Sequence, residues 1–128
     1  MLLAPRIKII TVDDSALIAE RLKLLLTETE NVDFLGSANN IATALYLVKE
    51  LHPNVVILDI NLAEDMPNAN GIFLLITLRE KYPDLKIIML TNHSGPKYRS
   101  ACISHGANCF LDKSLEMDKI QDTLKTIL

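Results

Sequence analysis

Val55-Val56-Ile57-Leu58 and Ile87-Ile88-Met89-Leu90 are short runs, apolar at every position. A half-exposed strand alternates apolar with polar residues, so an unbroken run of four reads as a strand covered on both faces. Each run follows a turn signal, Pro53-Asn54 before the first and Pro83-Asp84 before the second. A strand buried on both sides requires a layer of helices above the sheet and another below it.

The rest of the chain supplies the other strands and the helices. Arg6-Ile7-Lys8-Ile9-Ile10-Thr11-Val12 is rich in β-branched residues and bounded by Pro5 and Asp13, and predicts a first strand. Ile18, Leu22, Leu25 and Leu26 recur at helical spacing behind Asp14 and Ser15, either of which could cap the helix. Val32 to Ala38 predicts a second, weaker strand. Ile41, Ala44, Leu45 and Val48 fall at i, i+3, i+4 and i+7 and form the buried stripe of a second helix. A third helix follows Gly71, with Ile72, Leu75, Ile76 and Leu78 expected on its buried side. Lys97 to His105 predicts a short fourth helix closed by Gly106, Cys109-Phe110-Leu111 a brief fifth strand, and Ile120, Leu124 and Ile127 an amphipathic closing helix. Strand–helix alternation with short loops implies a doubly wound α/β domain with a five-stranded parallel sheet flanked by five helices.

Composition narrows function more than fold. The 128 residues are 49% hydrophobic and 23% charged, enough apolar material for one sizeable core. Lys and Arg number 13 against 16 Asp and Glu, so there is no basic excess to favour direct nucleic-acid binding by this domain. No apolar run approaches a membrane span, and Met1-Leu2-Leu3-Ala4 is too short for a secretory signal, so a cytoplasmic protein without membrane attachment is expected. Cys102 and Cys109 read as small hydrophobes, and His52, His93 and His105 share no ligand spacing with them, which argues against a zinc site.

In doubly wound folds the site lies beyond the carboxyl ends of the strands. Strand one ends in Asp13-Asp14, strand three in Asp59 and strand four in Thr91-Asn92, while Asp112-Lys113-Ser114 follows strand five. Three carboxylates, a hydroxyl and an ammonium therefore converge on one edge from distant parts of the chain. Carboxylates about 5 Å apart repel by about 3 kcal/mol at an effective dielectric of about 20, and a hard divalent cation with oxygen ligands relieves that repulsion. A carboxylate nucleophile, a metal, a lysine and a hydroxyl are the parts needed to make an aspartyl phosphate. Capping by Asp13 or Asp14, or a loop position for Asp59, would explain any one of these residues alone. The five together at the strand ends favour function.

These residues resemble the receiver domain of two-component response regulators. The marks are Val12-Asp13-Asp14-Ser15, Val56-Ile57-Leu58-Asp59-Ile60-Asn61-Leu62, Met89-Leu90-Thr91 and Gly106-Ala107-Asn108-Cys109-Phe110-Leu111-Asp112-Lys113, and the similarity covers essentially residues 1–128 as one receiver domain. The resemblance implies a flavodoxin-like sheet in the order 2-1-3-4-5. It implies that Asp59 is the phosphoacceptor, taking a phosphoryl group from a sensor histidine kinase or a histidine phosphotransfer protein. Asp14 and Asp59 would bind Mg²⁺ directly, Asp13 largely through water, and Asn61 through its backbone carbonyl. Lys113 would pair with the phosphoryl oxygens and Thr91 would move to meet them. Phe110, simply a core residue on its own pattern, would be the switch aromatic that follows Thr91. A changed surface on the fourth helix, fifth strand and fifth helix, with Tyr98, Cys102 and Lys119 among its elements, would control an output domain or partner, and leaves room for a homodimer. The domain would then be a signalling phosphoacceptor that assists its own phosphorylation and dephosphorylation rather than an enzyme.

Departures from the family pattern lie around the site. The segment Ala63 to Asn70 is longer than usual, carries Glu64 and Asp65, and has Ala63 where Pro is common, the nearest proline being Pro67; a tolerated surface loop is the simpler reading. Asn92 stands where Ala or Gly is frequent, Ser114 replaces a common proline, and Asn61 and His93 occupy positions that tune phosphoryl lifetime in the family. Competing readings are weaker. A flavin or nucleotide module would need a phosphate cradle where Asp13-Asp14 stands, and an aspartyl phosphatase would need an acid where Asn61 stands. A phosphorylation-independent adaptor would not need the acidic cluster, Thr91 and Lys113 intact.

Overall fold

A computed structural model of the chain describes residues 5–62, 70–93 and 95–128. Along the chain run β1 (Ile7–Val12), α1 (Ala16–Thr27), β2 (Val32–Ala38), α2 (Ile41–Leu51), β3 (Val55–Leu58), α3 (Gly71–Lys81), β4 (Lys86–Thr91), α4 (Pro96–Ser104), β5 (Cys109–Asp112) and α5 (Ile120–Thr126), with a 3₁₀ turn at Met117–Lys119 leading into α5. All strand pairs are parallel, in the order β2-β1-β3-β4-β5. This is the flavodoxin-like doubly wound α/β architecture that the sequence predicts.

Period-two alternation sorts each strand's side chains between two cores. Ile10, Val12, Val56, Leu58, Ile87, Met89 and Phe110 face one way, onto Ile41, Ala44 and Val48 of α2, Leu74, Leu75 and Leu78 of α3, and Cys102 of α4. Ile7, Ile9, Val55, Ile57, Ile88, Leu90 and Leu111 face the other, onto Leu22 and Leu26 of α1 and Ile120 and Leu124 of α5. A fully buried side chain of this size contributes about 1.5–3 kcal/mol, so the two cores carry most of the stability. β3 and β4 contribute to both, which is why their runs are apolar throughout.

Local chemistry ends the elements. Ser15, rather than Asp14, caps α1, its hydroxyl accepting from the Ile18 N–H. Asn40 caps α2 in the same way, and the Asn70 side chain accepts from the Ile72 and Phe73 N–H groups at the head of α3. α4 begins one residue early, because Pro96 suits a first helical position, and Gly106 follows it at φ 101°. The Arg79 guanidinium joins the end of α3 to the turn after α4, donating to the carbonyls of Tyr82, Pro83, Leu85 and Gly106 and to the Asn108 side chain.

Two expectations about helix faces need correction. On α3, Leu74 is buried and Ile76 is 40% exposed, because this helix is apolar nearly all round and periodicity cannot choose its inner face. Cys102 is fully buried as the plug that seats α4 on the sheet, so it cannot belong to an exposed output surface, whereas Tyr98 and Lys119 are exposed. Cys109 is partly buried. Among the described residues no helix is long and apolar enough to cross a membrane. The extended segment's Ala63, Glu64, Asp65 and Pro67 lie outside the described residues.

Candidate functional site

The chain leaves β1 toward β2 on one side and returns to β3 on the other, so a crevice opens beyond the carboxyl ends of β1 and β3. Backbone bonds continue the ladder past these ends. The Asp13 N–H donates to Ala38 O at 3.0 Å, Asp59 N–H to Val12 O at 3.0 Å, and Lys113 N–H to Thr91 O at 3.0 Å. The rigid sheet thus carries all four residues to one rim.

The side chains complete a compact charged cluster. Lys113 Nζ lies 2.6 Å from Asp13 Oδ2 and 2.8 Å from Asp59 Oδ2, and these three side chains are 7%, 3% and 4% exposed. Asp13 Oδ1 accepts from the Ser15 N–H at 2.9 Å, and Asp59 Oδ1 from the Asn61 N–H at 3.3 Å. Asp14 is exposed and lines the adjoining cavity, about 180 Å³, with Ser15, Ile18, Asp59, Asn61, Asn92, His93 and Lys113. One oxygen from each of Asp13, Asp14 and Asp59 lies within 4.8 Å of the others.

One ammonium does not neutralise three carboxylates. At the 4.8 Å limit of this cluster two carboxylate charges repel by about 3.5 kcal/mol at an effective dielectric of about 20. Burial pushes the Asp13 carboxyl above the usual carboxylate range and the Asp59 charge adds to this, against the pull of Lys113 and the Ser15 N–H. Burial alone would lower the Lys113 pKa, but its bonds to Asp13 and Asp59 outweigh this and hold it above that of an ordinary lysine. The excess negative charge, presented by oxygen donors on a small open cavity, fits a hard divalent cation. Asp13 and Asp59 each have both oxygens engaged, while Asp14 faces the cavity.

Thr91 and Phe110 sit beside the cluster rather than in it. Thr91 is fully buried and its hydroxyl accepts from the His93 N–H at 3.1 Å, so reaching the cavity requires that bond to be given up. Phe110 lies on the same sheet face and is already buried, at 3% exposed. Its carbonyl accepts from Arg99 at 3.3 Å, and the same guanidinium stands 5.3 Å from its ring centroid. Neither Arg99 nor the Ser15 N–H announces its role in the sequence, since the first reaches across to another element and the second is a backbone group. His93 is exposed, its ring 5.1 Å from that of Tyr98. Ser114 keeps an N–H that a proline would lack and donates it to Asp112 Oδ1 at 2.8 Å, which orders the loop after Lys113.

The profile of the family described as the response regulator receiver domain matches residues 9–125. The transcriptional regulatory protein MctR of Rhizobium johnstonii is 28% identical over 123 residues, covering 96% of this chain and 56% of that protein. Protein-glutamate methylesterase/protein-glutamine glutaminase 1 of Carboxydothermus hydrogenoformans is 36% identical over 123 residues, covering 94% of this chain and 34% of that protein. The crystal structure of the response regulator domain of Thermotoga maritima CheB superposes with a TM-score of 0.78 at 28% identity, covering 94% of this chain and 91% of that one. The chain spans about half the length, or less, of the curated relatives it matches.

Proposed function

The chain belongs to the response regulator receiver family, and from that membership we propose that it is a phosphoacceptor of two-component signalling in which Asp59 receives the phosphoryl group. The observation that carries this reading is the double ion pair of Lys113 with Asp13 and Asp59 on the rim of a small acidic cavity. The donor is a phosphohistidine on a histidine kinase or histidine phosphotransfer protein. An Asp59 carboxylate oxygen attacks phosphorus, the P–O bond forms as the P–N bond breaks, and the departing imidazole nitrogen keeps the electron pair and takes a proton.

Each residue has a distinct task. Asp14 and Asp59, with the Asn61 backbone carbonyl, would hold Mg²⁺, and Asp13 would do so largely through water. The cation supplies charge neutralisation for the phosphoryl oxygens. Lys113 is already within bonding distance of the acceptor carboxylate, so it meets a phosphoryl oxygen there after a short side-chain adjustment. Thr91 exchanges the His93 N–H for a phosphoryl oxygen, and Phe110, already buried beside it, repacks into the space it leaves. The fourth-helix, fifth-strand and fifth-helix surface, with Tyr98 and Lys119 but without Cys102, would then present the signal to an output domain, a partner or a second copy. Cytoplasmic action follows from the same reading.

The test is Asp59→Asn. With Mg²⁺ and a small acyl phosphate, the wild-type chain acquires an acid-stable, base-labile phosphoryl label and the variant acquires none while keeping its fold. Labelling of the variant at the wild-type rate would refute the assignment.

A further inference from the structure

Gly71 opens α3 with its backbone pressed against the exit of β3. A Cβ placed on it would stand 1.9 Å from the Asp59 carbonyl oxygen and 2.6 Å from the Ile60 Cα, where non-bonded carbon contacts settle near about 3.5–4 Å. Among the described residues the glycine with positive φ is Gly106, so at Gly71 space and not backbone conformation demands the missing side chain. The Gly71 N–H donates to Ile60 O at 2.8 Å, and Asn70 fixes the first turn behind it. The head of α3 is therefore a backstop for the peptides that join Asp59 to Asn61.

We propose that Gly71 is a positioning residue for the acceptor: its close approach sets where the Asp59 carboxylate and the Asn61 backbone stand, and so how tightly the site holds a divalent cation. The cation half of this inference rests on the function proposed above. A side chain at position 71 forces one partner to yield. Leu74, Leu75 and Leu78 are fully buried and lock α3 onto the sheet. Past β3, the acceptor's side chain is held by Lys113 and by a long 3.3 Å bond from the Asn61 N–H. The acceptor loop is the softer partner, and its displacement pulls Asp59 away from both.

The experiment compares Gly71→Ala with Gly36→Ala, where a new Cβ meets only the Leu47 and Leu51 side chains at 3.8 and 4.0 Å. Amide shifts of the cation-free proteins and titrations with Mg²⁺ alone are the two readouts. Gly71→Ala is expected to move the Asp59, Ile60 and Asn61 amides and to weaken Mg²⁺ binding by about tenfold or more, the usual scale for a group that orients a metal ligand. Gly36→Ala changes neither. Shifts confined to the first turn of α3 with unaltered Mg²⁺ affinity would overturn the proposal. If Gly71→Ala does not fold, Asn70→Ala, which loosens the same turn without adding bulk, must move the Ile60 and Asn61 amides, and their silence would overturn it equally. A wild-type chain that binds no Mg²⁺ defeats the function reading, while the amide shifts still decide the role of Gly71.

Discussion

Replacing Lys113 by Met removes the ammonium that, among the described residues, pairs with Asp13 and Asp59, while keeping much of the side chain's volume. Each ion pair, at 2.6 and 2.8 Å, is worth about 6 kcal/mol of gross attraction at an effective dielectric of about 20. Most of that is offset by the cost of taking the charges out of water, and deleting one partner of a buried pair costs about 3–5 kcal/mol net. The cavity of about 180 Å³ admits water to one side of the cluster, which favours the lower figure. With about 2.1 cal/mol/K of unfolding entropy per residue over 128 residues, a loss of about 3 kcal/mol lowers Tm by about 11 °C.

Two signatures separate this cause from ordinary loss of packing. The first is pH. The Asp13 carboxyl is raised above 3.8 in the native chain, so the folded state binds its proton more tightly than the unfolded state and stability falls as pH rises through that window. Without Lys113 the window widens upward, so the variant's deficit is small near pH 4 and complete at neutral pH. The second is rescue: Mg²⁺ at about 100 times its Kd stabilises the folded state by about 2.7 kcal/mol, with no ammonium competing for the carboxylates. Thermal melts at pH 4.5 and 7.5, with and without Mg²⁺, read both. A variant that melts within about 2 °C of wild type at pH 7.5, against the roughly 11 °C expected, would refute the electrostatic account.

Thr11 is fully buried and its hydroxyl has no partner among the described residues, so Thr11→Val should raise the urea midpoint by the equivalent of about 1–2 kcal/mol, and a lowered midpoint would refute this. Burial pushes the Cys102 thiol up to about 11, so iodoacetamide at pH 8 should leave Cys102 of the folded chain unmodified for as long as the fold persists, with mass spectrometry as the check. Arg99→Met should leave the cores intact but speed amide exchange in α4, since it removes both the bond to the Phe110 carbonyl and the cation over its ring; unchanged exchange at residues 97–102 would show that Arg99 adds nothing.

The strands were the most legible part of the fold, for a physical reason. β3 is buried on both faces and has one reading, and its bounds match the apolar run residue for residue. α3 is apolar on more than one side, so its rotation is set by packing and Leu74 replaces Ile76 inside. The closing helix begins through a 3₁₀ turn and ends with Ile127 at its C-cap, because short terminal helices have few bonds to fix their ends. The charged residues of the site were readable because strand ends are fixed points in a parallel sheet. What the Ser15 N–H, Arg99 and Gly71 do was not readable, because it depends on a backbone group, a reach across to another element, and an absence of atoms.

Apart from Ala101 and Cys102, every residue of α4 is exposed. A segment fastened by one inward thiol and a few polar tethers can exchange most of its letters without disturbing the folding equilibrium. Selection could therefore rewrite most of this helix while the charged cluster at the strand ends, beside which the helix begins, stays the same.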